Sequence, residues 1–326
     1  MTCLRTTLLL LVLLPAVFLS AGAAGPTTSF SIGGAGLEAR NVSLDDLQAL
    51  SAVTQTVAFE TSHGAQTRTF TGASLWSLLE RSGLTNAAGA RREMLDRLVV
   101  ATGSDGYTVV FSLPELDPAF GNKQSLVAYA QMVDGRSTPL GAEGFASLTA
   151  PHDVHGGRYV HSLASLRVQA CGSTQAGSGG GPSKSFAVSG AVSRPMQVDL
   201  AALRALPAER RSVGGDTYIG ASLWDLLEHT VGLRDDAASK NDVLAHFVVA
   251  TGSDGYRAVF SLGELSPKFG NQPDIVAYER NGQLLTERGF ARIVAPNDLK
   301  PGRFVSNLVS LEVFKVDSAP MPGAAR

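Results

Sequence analysis

The sequence predicts an α+β chain made of two tandem copies of one domain, with mainly antiparallel or mixed sheets and short helices. Three observations carry this reading. The nine residues VVATGSDGY occur at Val99–Tyr107 and again at Val248–Tyr256. The match is far longer than nine residues. Gly72–Leu84 (GASLWSLLERSGL) answers Gly220–Leu233 (GASLWDLLEHTVGL), Phe111–Asn122 (FSLPELDPAFGN) answers Phe260–Asn271 (FSLGELSPKFGN), and Gly144–Val168 answers Gly289–Val313. Two units of this length are a duplicated domain, not a solenoid. Finally, strand-like runs and short helices alternate without a regular βαβ rhythm, which favours antiparallel pairing.

Taken in order through the first copy, Ser43 stands before LDDLQAL with Asp46 three residues on. That is close to a capping box opening a short helix with Leu44, Leu47 and Leu50 on one face. TVAFET and RTFTG read as strands. SLWSLLERSGL puts Leu75, Leu78 and Leu79 on one helical face, with Gly83 as the stop. LVVATGSDGYTVVFSL is a β-hairpin whose Asp-Gly supplies the positive φ angles of the turn. FGN, at Phe120–Asn122 and Phe269–Asn271, reads as a turn with a buried aromatic anchor. LVAYAQMVDG is a strand and turn, and YVHSLASLRV closes the copy with a strand. Trp76 and Trp224 lie in the amphipathic helices and read as core.

The boundaries follow from composition. Arg5, the apolar run Leu8–Leu19 and the small residues Ala21–Ala24 make a secretory signal peptide over residues 1–24. The run is too short for a comfortable membrane span, so the mature protein is expected to be exported, periplasmic or extracellular, and not inserted in a membrane. Domain 1 covers 27–170 and domain 2 covers 185–316. Between them, 171–184 (CGSTQAGSGGGPSK) reads as a flexible Gly/Ser linker, and 317–326 as a disordered tail. Of the two cysteines, Cys3 leaves with the signal and Cys171 opens the linker, so no internal disulfide forms. The chain carries 27 basic and 29 acidic residues, with no basic stripe, which argues against a nucleic-acid partner. It has no P-loop, Rossmann glycine fingerprint or nucleophile elbow.

Few residues look chemical. His152, Asp153, His155 and His161 fall within ten positions, a spacing that suits a Zn or Cu site, a pH-sensitive contact or simply a solvated loop. The aligned stretch of copy two keeps only Asp298. Asp153 and Asp298 either cap turns or touch a ligand. Arg158 and Arg303 each follow a glycine at the start of the last strand, as ligand contacts or as partners of surface carboxylates.

The ordered series VSLDDLQAL, FTGASLWSLLERSGL, VVATGSDGYTVVFSLPEL, VAYAQMVDG and APHDVHGGRYVHSLASLRV resembles the molybdopterin-binding domain of the sulfite oxidase family, and the second copy resembles it too. The resemblance covers nearly all of each copy. It implies two sulfite-oxidase-like domains, and molybdopterin as the family's cofactor. It also implies that a Cys thiolate, the family's molybdenum ligand, should precede the GASLW helix. Neither copy has a Cys there, and Thr61 stands nearest that place in copy one. The family's basic Arg-x-Val-Lys-Trp-Leu stretch, which holds the pterin and its phosphate, matches RYVHSL and RFVSNL. Arg158 and Arg303 keep the Arg, while His161 and Ser306 replace the Lys. Family members take up their cofactor before export and leave folded by a twin-arginine route, whereas this leader has one Arg. The reading is therefore a non-redox binding module for an anionic or pterin-like ligand, with no cofactor expected. Two alternatives stand beside it: a molybdopterin-dependent oxidoreductase with a non-Cys metal site, and a structural or partner-binding protein with vestigial pockets.

Overall fold

The computed structural model describes residues 27–85, 91–236 and 238–316. The expected signal peptide and the 317–326 tail lie outside these. Copy one contains β1 (Phe30–Gly34), β2 (Leu37–Val42), β3 (Ala52–Thr61), β4 (Gly64–Ser74), β5 (Arg97–Gly103), β6 (Thr108–Ser112), β7 (Leu126–Val133), β8 (Arg136–Pro139), β9 (Ser147–Leu148) and β10 (Leu163–Ala170). Copy two repeats them as β11 (Ser185–Gly190), β12 (Met196–Asp199), β13 (Ala208–Val213), β14 (Asp216–Ser222), β15 (His246–Gly252), β16 (Arg257–Ser261), β17 (Ile275–Arg280), β18 (Gln283–Leu284), β19 (Arg292–Val294) and β20 (Leu308–Lys315).

Each copy folds into two five-stranded sheets. One runs β2-β1-β10-β5-β6, matched by β12-β11-β20-β15-β16. The other runs β3-β4-β7-β8 with β9 on β7, matched by β13-β14-β17-β18 with β19 on β17. All pairings are antiparallel except that of the first strand with the last, β1 with β10 and β11 with β20. The chain is thus α+β with mixed sheets and few short helices, in two sheet-rich halves.

The local expectations are met where their chemistry is local. Ser43 and Asp46 form the full capping box on α1 (Leu44–Gln48). Helix α2 (Leu75–Arg81) is capped by Ser74 and buries Leu75, Trp76, Leu78 and Leu79. Its copy-two counterpart starts as Leu223–Asp225 and absorbs one extra residue by widening to a π-helical stretch over Leu226–Val231. The repeated hairpin is β5–β6 and β15–β16. Its turn differs from the expectation: only Gly106 and Gly255 have positive φ (84° and 79°). The Asp105 and Asp254 carboxylates instead accept the amides of Tyr107 and Tyr256 at 2.9 Å. Asp stabilises the turn by bonding locally, and Gly alone supplies the left-handed step.

The two copies pack tightly. The outer faces of the two strand-order-equivalent sheets share a small core made of Leu98, Val100, Val110, Phe247, Val249 and Val259, with Cys171 at its edge. The FGN aromatics cross between copies. Phe269 packs where a Cβ on Gly157 would sit 2.4 Å from the ring, and Phe120 does the same over Gly302. Backbone bonds fix the crossing: the Val154 and His155 amides donate to the Phe269 and Lys268 carbonyls at 2.9 Å, and the Leu299 amide to the Phe120 carbonyl at 3.1 Å. The 171–184 segment lies along copy two. Gly180 donates to the Ser253 carbonyl, the Ser253 hydroxyl to the Gly181 carbonyl, and Arg257 to the Gln175 carbonyl.

Candidate functional site

Seven of the eight residues singled out from the sequence separate into two environments, and His152 belongs to neither. Arg158 and Arg303 do not open the last strands. They close short 3₁₀ turns, Gly156–Arg158 and Pro301–Arg303, before β10 and β20. Both are interior, 0% and 2% exposed. Arg158 clamps Asp153 through Nε (2.6 Å) and Nη2 (2.8 Å), and reaches Glu115 through Nη1 (2.5 Å). Arg303 does the same with Asp298 (2.7 and 2.5 Å) and Glu264 (2.8 Å). Each guanidinium also lies over a ring, Phe111 at 5.0 Å and Phe260 at 4.7 Å.

These clamps meet at the contact between the copies. Ser112 caps α3 (Leu113–Leu116) by accepting the Glu115 amide, and donates its own proton to Glu264 of the other copy at 2.7 Å. Ser261 caps α4 (Leu262–Leu265), accepts the Glu264 amide, and donates to Glu115 at 3.0 Å. The result is a reciprocal lock with approximate two-fold symmetry. The Ser112–Glu264 and Ser261–Glu115 bonds join the copies, and Arg158 with Asp153, and Arg303 with Asp298, brace the two glutamates from within their own copies, so that their donors and acceptors face other protein groups.

The charges in the lock are unequal. On the copy-one side, Lys123 adds a second cation, 2.6 Å from Asp153 and 3.8 Å from Glu115. Burial raises the Asp153 carboxyl, but Arg158 and Lys123 outweigh it and hold it below the usual range. On the copy-two side the Lys position is Gln272, and a further acid, Asp274, is buried with no hydrogen-bond partner for its Oδ2 among the described residues. Arg303 pairs with both Asp298 and Glu264, and shares Asp274 with the more distant Arg211. Burial pushes Glu264 up to about 7, against the pull of Arg303 and with help from Glu115. Burial likewise pushes Asp274 well up.

Thr61, His155 and His161 come together elsewhere, in an open cleft of about 700 Å³ at the junction of the copies. Its walls include the tip of the β3–β4 hairpin (Phe59, Glu60, Thr61, Ser62, His63) and Gly156, Tyr159 and His161 from copy one, with Lys240, Asn241, Lys268 and Phe269 from copy two. Phe59 packs on Tyr159, ring centroids 4.4 Å apart. The hairpin is anchored by the Glu60 amide, which donates to the Val154 carbonyl at 2.8 Å. Asn241 donates to the Tyr107 hydroxyl, which donates in turn to the Gly157 carbonyl at 2.6 Å. Along the cleft wall Arg68, Lys240 and Lys268 stand against Glu60, with His63, His155 and His161 among them. Behind it, Arg68 and His161 converge on Glu143 at 2.7 and 3.2 Å. Burial raises that carboxyl, but hydrogen bonds from His161 and Arg68 outweigh it and hold it at about 2. Tyr159 lines the cleft, and its hydroxyl is buried with no hydrogen-bond partner among the described residues.

His152 is exposed and outside the cleft, with a left-handed backbone (φ 68°). Among the described residues no three His, Cys, Asp or Glu side chains converge as a metal site. The donors also do not fit a thiolate-held molybdenum centre. Cys171 is buried in the small core between the sheets, away from the cleft, and the two arginines expected to hold a pterin phosphate are bound to protein carboxylates. Sequence reasoning missed the whole lock and the part of the cleft supplied by copy two. The lock did leave a trace: Ser112, Glu115, Asp153 and Arg158 all recur unchanged as Ser261, Glu264, Asp298 and Arg303.

No family model matches the chain, and no curated protein is similar to it. Among solved structures, the chain is similar to the crystal structure of the sulfane dehydrogenase SoxCD from Paracoccus pantotrophus, at 12% identity and a TM-score of 0.36, over 89% of this chain and 77% of that one. A likeness at that distance carries no argument about chemistry.

Proposed function

We propose that the protein is an exported, non-redox binding module of two sulfite-oxidase-like domains that takes a small anionic ligand in the copy-one cleft. The observation that carries this is the cleft wall, where Lys240 and Lys268 of copy two face the single Glu60 beside Tyr159, whose hydroxyl has no partner among the described residues. A buried polar group without a partner is costly, and a ligand oxygen accepting from Tyr159 relieves that cost. Lys240 and Lys268 are exposed and close the cleft from the far side as point charges. Thr61 offers a further hydroxyl, and the Phe59 and Phe269 rings offer apolar walls. This composition suits an oxyanion carried on a flat or apolar body, a class that includes a pterin phosphate. The leader-like N-terminus supports export.

Calorimetric titration with inorganic phosphate, small dicarboxylates and a pterin phosphate tests the reading. We expect binding weakened about tenfold or more by Lys240→Ala with Lys268→Ala, since each charge-assisted contact contributes about 1.5–3 kcal/mol. Saturable binding that the double variant leaves intact, or no saturable binding at all, overturns it.

A further inference from the structure

The strand-for-strand match between copies lets one place in copy one be compared with its counterpart in copy two. In copy one, Glu143 precedes Gly144, and its carbonyl accepts the Ser162 amide at 2.6 Å. In copy two, Arg288 precedes Gly289, and its carbonyl accepts the Asn307 amide at 2.8 Å. The positions are structurally equivalent, and the charge is reversed. The same register puts Arg292 where copy one has Ser147, and Arg280 where it has Gln131.

Copy one is neutralised from within, because Glu143 sits between Arg68 and His161. Copy two has no carboxylate at that place. Arg280, Arg288 and Arg292 instead line a concavity of about 420 Å³, together with Gln283, Thr286 and Glu287. Arg280 is paired with Asp216 at 2.5 Å. The Arg292 side chain makes no hydrogen bond or ion pair with any described residue, and its Nε is buried and unpartnered. Its one marked contact is the Phe304 ring, 5.3 Å away. Burial, then Arg288 and Arg280, lower its affinity for its proton, against Tyr218 and Asp216. A partly buried, unpaired guanidinium among like charges is an expensive arrangement unless an anion completes it.

We propose that copy two carries a second anion site, in which Arg280, Arg288 and Arg292 receive a tetrahedral oxyanion of the phosphate or sulfate type at the place where copy one puts the Glu143 carboxylate. The anion accepts from the Arg292 guanidinium and bridges to Arg288, as the Glu143 carboxylate bridges Arg68 and His161. Thr286 adds a hydroxyl donor at the rim. The site does not depend on the copy-one cleft, which binds through different residues.

Selective ¹⁵Nε labelling of arginine reads the site directly. The Arg292 Nε–H resonance, assigned through Arg292→Lys, is followed during titration with inorganic phosphate and, separately, sulfate, with chloride at matched ionic strength as control. We expect a saturating shift with phosphate or sulfate and none with chloride. Arg288→Glu, an exposed position that restores the copy-one charge, should weaken it about tenfold or more. A resonance that stays fixed, that drifts linearly without saturating, or that responds equally in Arg288→Glu overturns the site. Phosphate bound in the copy-one cleft leaves this resonance unmoved, so the two readings fail separately.

Discussion

The two copies share a fold and differ at the tip of one hairpin. In copy two, Val213 and Asp216 pair directly across Gly214–Gly215. In copy one the equivalent pair, Val57 and Arg68, is followed by four more rungs, out to Thr61 and Gly64. That extension supplies Phe59, Glu60, Thr61, Ser62, His63 and Gln66 to the cleft. Residues kept identical in both copies, by contrast, meet at the lock. Within this molecule identity between copies marks what joins them, and divergence marks what each presents to solvent.

The largest effects should come from the lock. Arg158→Ala leaves Asp153 and Glu115 with Lys123, whereas Arg303→Ala leaves Asp298 and Glu264 without their paired cation and Asp274 with Arg211 alone. Breaking such a buried pair costs about 3–5 kcal/mol. Urea unfolding should place Arg303→Ala at the upper end and Arg158→Ala below it. The reverse order would show that the charge inequality between the copies has no energetic weight.

The same inequality predicts a pH dependence. Glu264 has a folded-state value near 7 against an ordinary value of 4.5. The folded state then holds the extra proton, so its contribution is complete below about pH 4.5 and is lost as pH rises through 7. At 1.36 kcal/mol per unit this amounts to about 3 kcal/mol. Melting temperature should fall between pH 5 and 8; Glu264→Gln should flatten that slope, and Glu115→Gln, which removes a charge that helps hold the Glu264 carboxyl up, should reduce it. A slope unchanged in Glu264→Gln would assign the proton elsewhere, with Asp274 the next candidate.

Replacing Ala58–Thr67 by Gly-Gly gives copy one the copy-two turn. Loss of the Phe59–Tyr159 contact should cost about 1–3 kcal/mol, and ligand binding in the cleft should disappear while the Arg292 resonance keeps its phosphate response. Of similar size are Gly157→Ala and Gly302→Ala, which push a methyl into Phe269 and Phe120. Overpacking of this kind costs about 1–3 kcal/mol. Circular dichroism melts should show the two nearly equal, since the contact is the same in both copies.

What could be read from the sequence was governed by distance along the chain. The Ser43–Asp46 capping box, the GASLW helix and the Asp-Gly hairpin depend on neighbours within a few residues, and the duplication is visible by inspection. The lock depends on Ser112 meeting Glu264, 152 positions away. In sequence, Glu115 and Glu264 are ordinary first-turn acids of short helices. Likewise Arg158 reads equally as a ligand contact or as the partner of a surface carboxylate; its partner is the buried Asp153, five residues earlier, brought to it by the intervening turn. The cleft was half legible: Thr61, His155 and His161 were singled out, but Lys240 and Lys268 belong to the other copy and had no local motif.

The parallel pairing of β1 with β10, and of β11 with β20, has a mechanical consequence. In each copy the first and last strands lie side by side in register, Ser31 opposite Ser165 and Ala187 opposite Ser310. Tension applied to the ends of a copy pulls these strands past each other along their length, so their hydrogen bonds are loaded together in shear and none peels alone. Each copy is thereby a force clamp, and the two clamps stand in series along a chain held at both ends.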